Sequence, residues 1–321
     1  MVMAKRGAKV LPLFIHAGLV EAERPPITTA MMQAADRPLL IVAMGLGRNS
    51  VALLILLYEL GIRPDRILFA DTGGEKPETY AYLFVLNEWL ARVGFPTVTV
   101  LRHNAREDAS LEDNCVRLRI LPSQAFNFSS CSDRWKQGPQ RVWANNWLPA
   151  RITWRNGQPV VWAIGYDSNE CTRRDKANTY IAKNPDVRRA NWYPLIEHGL
   201  TLDDCILKIV GAGLPPLPKS ACFFCPVSKP AEIEELAEAH PHLLVRGLVM
   251  ERLALSKLTV IKGLGGREFR WRDLEVSQPY LGLVERIVAE LDGGQLRSGP
   301  GYIARVDELV YGRLADSRRA A

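Results

Sequence analysis

Cys222-Phe223-Phe224-Cys225 places two thiols three positions apart in a segment bounded by Pro218 and Pro226. Two thiolates at this spacing can grip one metal, and a loop often brings in a third. The same spacing serves redox dithiols, and buried cysteines without chemistry are common. A redox dithiol normally opens a helix, whereas the flanking prolines argue for a tight loop, which favours a metal or cluster. Zinc closed by a histidine is one choice, with His198, His240 and His242 available. Cys115 and Cys205 carry no motif, and Cys205 sits on a helix face that points to the core. Six cysteines in 321 residues do not form a secreted disulfide framework.

A second constellation is Gly45-Leu46-Gly47-Arg48-Asn49-Ser50. Glycines let several backbone N–H groups turn into one concavity, and a helix N-terminus behind them adds partial positive charge. Ser50 can cap that helix or bond a phosphate oxygen, and Arg48 adds a formal charge. An ordinary strand-to-helix turn would also use two glycines, and the Walker Lys-Ser/Thr pair is missing. Asp71-Thr72-Gly73-Gly74-Glu75 follows the next apolar run. A carboxylate at Asp71 can bind ribose hydroxyls or hold magnesium against phosphates, or simply cap a helix.

The elements that position these loops are legible. Leu39–Met44 is a continuous apolar run of strand length, as expected of a strand buried on both faces. Ser50–Leu60 reads as a helix closed by Gly61, Arg66–Ala70 as a strand, Glu78–Val93 as a helix and Thr97–Arg102 as a strand. Val160–Gly165 is a later core strand. This order predicts an α/β fold, a doubly wound parallel sheet of Rossmann type, with ligands in the crevice at the carboxyl ends of its strands. Residues 104–158 are irregular and rich in Asn, Trp and Gln, the composition of a substrate-facing stretch. Beyond Pro194 the reading is helical: Thr201–Ala212, Lys229–Ala239, Leu243–Lys257 and Tyr280–Leu291, with Arg313–Ala321 as a frayed basic tail. The expected organisation is a leader over 1–36, a nucleotide-binding α/β domain over 37–214, and a cysteine-knuckle and helical region over 215–321.

Composition narrows the class. Apolar residues make up 47% and charged residues 24%, ordinary for a folded cytosolic protein. The run Val10–Phe14 after Lys5, Arg6 and Lys9 is too short for a signal peptide, and no apolar run spans a bilayer, so a cytoplasmic protein without a membrane partner is expected. The net charge of +6 is spread rather than blocked. It suits a polyanionic partner. Trp135, Trp143, Trp147, Trp154, Trp162 and Trp192 interleave with Arg134, Lys136, Arg141, Arg151 and Arg155, and Arg267, Arg270, Trp271 and Arg272 form a second patch. Aromatics can stack bases while cations meet phosphates, although tryptophans also pack loop-rich regions.

The glycine loop ending in Ser50, paired with FADTGGEKPETYAYL over Phe69–Leu83, resembles the PAPS reductase-like branch of the PP-loop ATP pyrophosphatase (adenine nucleotide alpha hydrolase-like) superfamily. The likeness continues through CSDRWKQGP (Cys131–Pro139), IGYDSNECTRR (Ile164–Arg174), YPLIEHGL (Tyr193–Leu200) and PKSACFFCP (Pro218–Pro226), covering 38 to about 260. It is nearest the phage and mobile-element proteins of that branch. The resemblance implies ATP with magnesium on Gly45, Gly47, Asn49 and Ser50, with Asp71, Thr72, Gly73, Glu75 and Glu170 completing the cofactor site. It implies catalytic roles for Arg48, Asp71, Lys136 and Arg173, the last two facing phosphates or an anionic substrate. Cys131 joins Cys222 and Cys225 as candidate ligands, with Cys171 beside Glu170 as a fourth. Three cysteines plus an open site is the layout of iron-sulfur sulfurtransferases in the wider class, so a 4Fe-4S cluster is expected, with zinc as the alternative.

Two departures stand out. Arg48 and Asn49 replace the Lys and Asp of the usual Ser-Gly-Gly-Lys-Asp-Ser loop. Arginine keeps the charge with a planar fork, and the lost carboxylate weakens magnesium-assisted cleavage of ATP. The resulting expectation is an enzyme that adenylates a nucleic acid, DNA or tRNA, for phosphorothioation- or thiolation-type sulfur transfer, supplied by a cysteine desulfurase. A PAPS- or APS-type sulfonucleotide reductase is disfavoured, because Leu291–Ala321 contains no cysteine where such enzymes carry a catalytic one. A non-catalytic nucleotide-binding adaptor is the remaining alternative.

Overall fold

A computed structural model describes residues 25–103, 108–122, 131–217 and 219–320. The first 24 residues of the expected leader, and Pro218, lie outside the described residues. Helix α1 (Thr29–Gln33) is capped by Thr28, and buried Met32 anchors it in the core. Then come β1 (Leu40–Met44), α2 (Arg48–Glu59), β2 (Arg66–Asp71), α3 (Pro77–Arg92) and β3 (Val98–Arg102). After α4 (Leu111–Leu118), a π-helical turn over Ser132–Gln137 runs into α5 (Gly138–Asn146) and α6 (Leu148–Arg155). Strand β4 (Val160–Ile164), α7 (Cys171–Lys183), β5 (Arg189–Trp192), α8 (Pro194–Glu197) and α9 (Leu202–Gly211) complete the sheet half. The remainder is helical: α10 (Pro230–Ala239), α11 (Pro241–Ala254), α12 (Leu281–Asp292) and α13 (Pro300–Ala320).

All strands are parallel, in the order β3-β2-β1-β4-β5. Central β1 is apolar throughout because both its faces are covered. Every residue from Ser50 to Leu57 of α2 is buried, since the helix lies between the sheet and α9. Ile41, Leu68, Val160 and Trp162 carry the opposite face onto Ala144 and Ala150 of α5 and α6. A second core gathers α10–α13 around Leu244, Leu248 and Trp271. It also recruits Leu111, Cys115 and Val116 from α4, together with Trp135. The chain ahead of residue 214 therefore contributes to both cores.

Two sequence expectations are corrected. The described part of 104–158 is mostly helix rather than irregular. Its helices α4, α5 and α6 are only 8, 9 and 8 residues long, too short for an apolar period to stand out from the segments around them. The tail from Arg313 continues α13, which begins at Pro300 and seats Tyr302, Val306 and Val310 four residues apart in the second core. Helix α7 has no buried residue, which explains why apolar periodicity does not reveal it.

Candidate functional site

The order in which the chain adds strands reverses between β1 and β4, so the crevice expected of such sheets opens between the loops that follow these two strands. The β1 loop is sharply bent. Leu46 adopts φ +54, unusual for leucine, and its fully buried side chain holds it there. Nothing lies where a Cβ on Gly45 would go, so the backbone there faces open space. Ser50 closes the loop from inside: its Oγ accepts from Gly47 N at 3.0 Å and donates to Gly47 O at 2.9 Å. At Gly165 after β4, a Cβ would stand 2.9 Å from Asn49 O, so the two loops touch through glycine. Asn49 Nδ2 donates to Asp167 Oδ2 at 2.8 Å and to Glu170 Oε2 at 2.9 Å. Arg173 pairs with Glu170 and lies 4.4 Å over the ring of Tyr166, which stacks on Tyr193.

Asp71 ends β2 with its carboxylate consumed by its own chain. Oδ1 accepts from Gly73 N and Tyr80 OH, both at 2.7 Å, and Oδ2 accepts from Arg102 at 3.0 and 3.1 Å. Gly73 has φ +74 and presses on Ser110, where a Cβ would come within 2.5 Å of Ser110 Cβ. This geometry makes Asp71 the residue that shapes the turn. Thr72 Oγ1 lies 3.1 Å from Cys222 Sγ.

The cysteine knuckle is sewn onto both loops. Phe223 N donates to Gly74 O at 2.8 Å, Glu75 and Cys222 form an antiparallel bridge, and Ser220 Oγ donates to Gly45 O. Gly74 is needed because a Cβ would come within 2.6 Å of the Phe224 ring. Arg48 is tied to the segment that leads into the knuckle, its Nε donating to Leu217 O at 3.0 Å. Beside the knuckle, Lys136 Nζ stands 3.5 Å from Glu75 Oε1, and Cys222 Sγ 4.0 Å from the same oxygen. Burial pushes the Cys222 thiol up to about 12, with Lys136 opposing and Glu75 adding to the rise. Burial likewise raises Cys225 and Glu75, with Lys136 offsetting both. Burial works against the Lys136 charge, but Cys222, Glu75, Cys225 and Cys131 outweigh it and hold its pKa above the ordinary value.

The predicted residues thus fall into two groups. Gly45, Gly47, Asn49, Ser50, Glu170, Arg173 and Cys171 gather at the β1–β4 crevice, where Cys171 Sγ donates to Ser168 O at 3.2 Å. Cys131, Cys222 and Cys225 gather with Lys136, Glu75 and Thr72, joined to the first group through Ser220. Among the described residues no group of three or more His, Cys, Asp or Glu side chains is spaced to hold a single metal ion. The candidate zinc-closing histidines are engaged elsewhere: His198 with Thr29, His240 with Glu78 and His242 with Tyr311. Three thiols with no histidine make a soft donor set, which suits iron or zinc better than a hard cation.

No family model matches this chain, and no curated protein matches it. Among solved structures it is similar to the U34-tRNA thiolase NcsA from Methanococcus maripaludis with its 4Fe-4S cluster, at 14% identity and a TM-score of 0.40. That match covers 77% of this chain and 88% of the other.

Sequence reasoning passed over Asp167, Arg102 and Ser220. Asp167 lies within Ile164–Arg174, Ser220 within Pro218–Pro226, and Arg102 ends β3, so position near the carboxyl edge of the sheet is the signal that marks Asp167 and Arg102. The stacking surfaces shrink. Trp135, Trp162, Trp192 and Trp271 are buried, and Arg66 and Arg188 cover Trp147 and Trp154 at 5.0 and 5.6 Å. No helix among the described residues is long and apolar enough to cross a membrane.

Proposed function

We propose that this chain binds an adenine nucleotide at the β1–β4 crevice and adenylates a nucleic acid, DNA or tRNA, for sulfur transfer at the cysteine knuckle. The observation that carries the reading is the stitching of the knuckle to the nucleotide loops through Ser220–Gly45 and Phe223–Gly74. It supports the reading because the knuckle that carries Cys222 and Cys225 is bonded to the glycine loop, and two-stage chemistry needs the two close together. The amides of 45–50 and the N-terminus of α2 hold the phosphates. An acceptor oxygen attacks the α-phosphorus and pyrophosphate leaves, with fixed dipoles rather than covalent catalysis carrying the rate. Sulfur at the sulfide level, as free hydrosulfide or released from a cysteine desulfurase's persulfide by a two-electron dithiol reductant, then displaces AMP from the activated atom, and that exchange is redox-neutral. Cys131, Cys222 and Cys225 would hold a 4Fe-4S cluster, which supplies a soft Lewis-acid site for sulfide when bound. Lys136 balances the charge of ionised thiols, and Arg173 faces the acceptor or phosphates.

Protein purified without oxygen should contain iron and acid-labile sulfide and release pyrophosphate from ATP only with tRNA or with DNA, the active one naming the acceptor. Zinc-only protein without pyrophosphate release would sink the sulfur-transfer reading. Arg48 favours the adaptor alternative, because its Nε is already committed to Leu217 O. That reading predicts ATP binding by calorimetry with no turnover on either nucleic acid.

A further inference from the structure

The contact between the β1 loop and the turn after β4 is built in an unusual way. Asp167 is 4% exposed and points one carboxylate oxygen at Asn49 Nδ2, as does Glu170. Two carboxylates converging on one atom are what a divalent cation ordinarily requires. Here both hydrogens of an amide nitrogen take that position. The remaining oxygens are also occupied: Asp167 Oδ1 accepts from Asn169 N at 2.8 Å, and Glu170 Oε1 pairs with Arg173. The orientation of the Asn49 amide is forced, since turning it over would set its oxygen against two carboxylates. Its Oδ1 is left buried without a hydrogen-bond partner as a consequence. Gly165, pressed against the Asn49 backbone, fixes the distance between the loops independently of this contact.

We propose that the Asn49 carboxamide stands in for a divalent cation between Asp167 and Glu170. The phosphate loop is thereby assembled and held to the turn after β4 with no metal of its own, and divalent metal enters only with the nucleotide. The last clause rests on the nucleotide-binding reading above; the substitution of amide for cation does not. Asn49 is a positioning residue in this account, acting through Asp167 and Glu170.

Thermal unfolding of the full chain without nucleotide tests it, so failure of the nucleotide reading would leave this result untouched. Wild type should melt at the same temperature in EDTA and in millimolar Mg2+ or Mn2+. Asn49→Asp, which sets a third carboxylate in the cluster, should melt lower by about 4 °C or more in EDTA and regain the loss in divalent metal. The double variant Asn49→Asp/Asp167→Asn returns the carboxylate count to two and should lose the metal response. A merely structural role for Asn49 would not create metal rescue. Wild type stabilised by Mg2+, or Asn49→Asp indifferent to it, would overturn the proposal. Should Asn49→Asp fail to fold in either buffer, the double variant decides: a stable, metal-indifferent protein supports the proposal, and a metal-dependent one refutes it.

Discussion

At the scale of single residues, the site is governed by what little space the backbone leaves and by which charges share a buried cluster. Gly73 sits at φ +74 with Ser110 directly against it, so Gly73→Ala meets both a disfavoured conformation and a steric overlap. We expect a loss of about 2 kcal/mol from strain and overpacking together, read as a lower urea midpoint with unchanged slope. Lys136 is the cation closest to Glu75, whose side chain is wholly buried. Lys136→Met leaves that carboxylate unpaired at a cost of about 3–5 kcal/mol. The sign with pH follows from the raised pKa of Glu75, which burial drives higher still once Lys136 is gone. A carboxyl raised in the folded state favours folding in its protonated form, a contribution present at low pH and lost as pH rises through the folded pKa. The deficit of Lys136→Met should therefore shrink as pH is lowered from about 7.5 to about 5, measured by urea denaturation at each pH. A deficit that grows on acidification would contradict this placement of Glu75.

At the scale of elements, α4 and α11 are locked by an ion pair inside the second core. Glu112 is fully buried and bonded to Arg246 through both oxygens, and the Arg246 guanidinium lies 4.7 Å over the ring of Phe223 in the knuckle. Glu112→Ala strands a buried guanidinium, with an expected loss of about 3–5 kcal/mol. Replacing both partners, as in Glu112→Leu/Arg246→Met, should restore most of that loss, because buried pairs exchange well for apolar residues of similar volume. Because Phe223 rests on Arg246, the single variant should also make Cys222 and Cys225 react faster with a thiol reagent than in wild type. Equal reactivity would separate the ion pair from the knuckle. Desolvation raises the pKa of both thiols and so lowers the thiolate fraction open to such a reagent.

At the scale of the whole molecule, the two cores are interleaved. The sheet half supplies α4 and Trp135 to the helical core, and the helical half returns the knuckle to the sheet edge. Removing α13 by stopping the chain after residue 299 would uncover the seats of Tyr302, Val306 and Val310, all fully buried. Each such side chain contributes about 1.5–3 kcal/mol, so the sum reaches the scale of a domain's whole stability. The expected result is protease-sensitive protein over α4 and the knuckle, while the strands and α2, which belong to the other core, remain the slowest to be cut. Uniform resistance along the chain would show that α13 is not needed for the second core.

How far the sequence reaches follows from the range of the forces involved. Local pattern sufficed for β1, β2, β3 and β4 and for α2, α3 and α9, because each is a run of apolar residues with a glycine, proline or capping residue at its end. It also sufficed to single out the loop at Gly45–Ser50, the Asp71–Glu75 turn and the C-x-x-C knuckle, whose residue types are unusual in themselves. It failed for α4, α5 and α6, which are too short for a period to stand out, for α7, which has no buried residue, and for the first turns of α13, whose three buried side chains have meaning only against α11. Tertiary structure alone decided what each candidate atom faces. It placed Asp71 on Arg102 and Tyr80, turned Arg48 toward Leu217, brought Asp167 and Glu170 to Asn49, and gathered Lys136 and Glu75 with the thiols. Those pairings join residues up to 169 positions apart. Propensity and periodicity act over one or two turns of chain, whereas hydrogen bonds and charge pairs depend on three-dimensional proximity, which only the assembled cores establish.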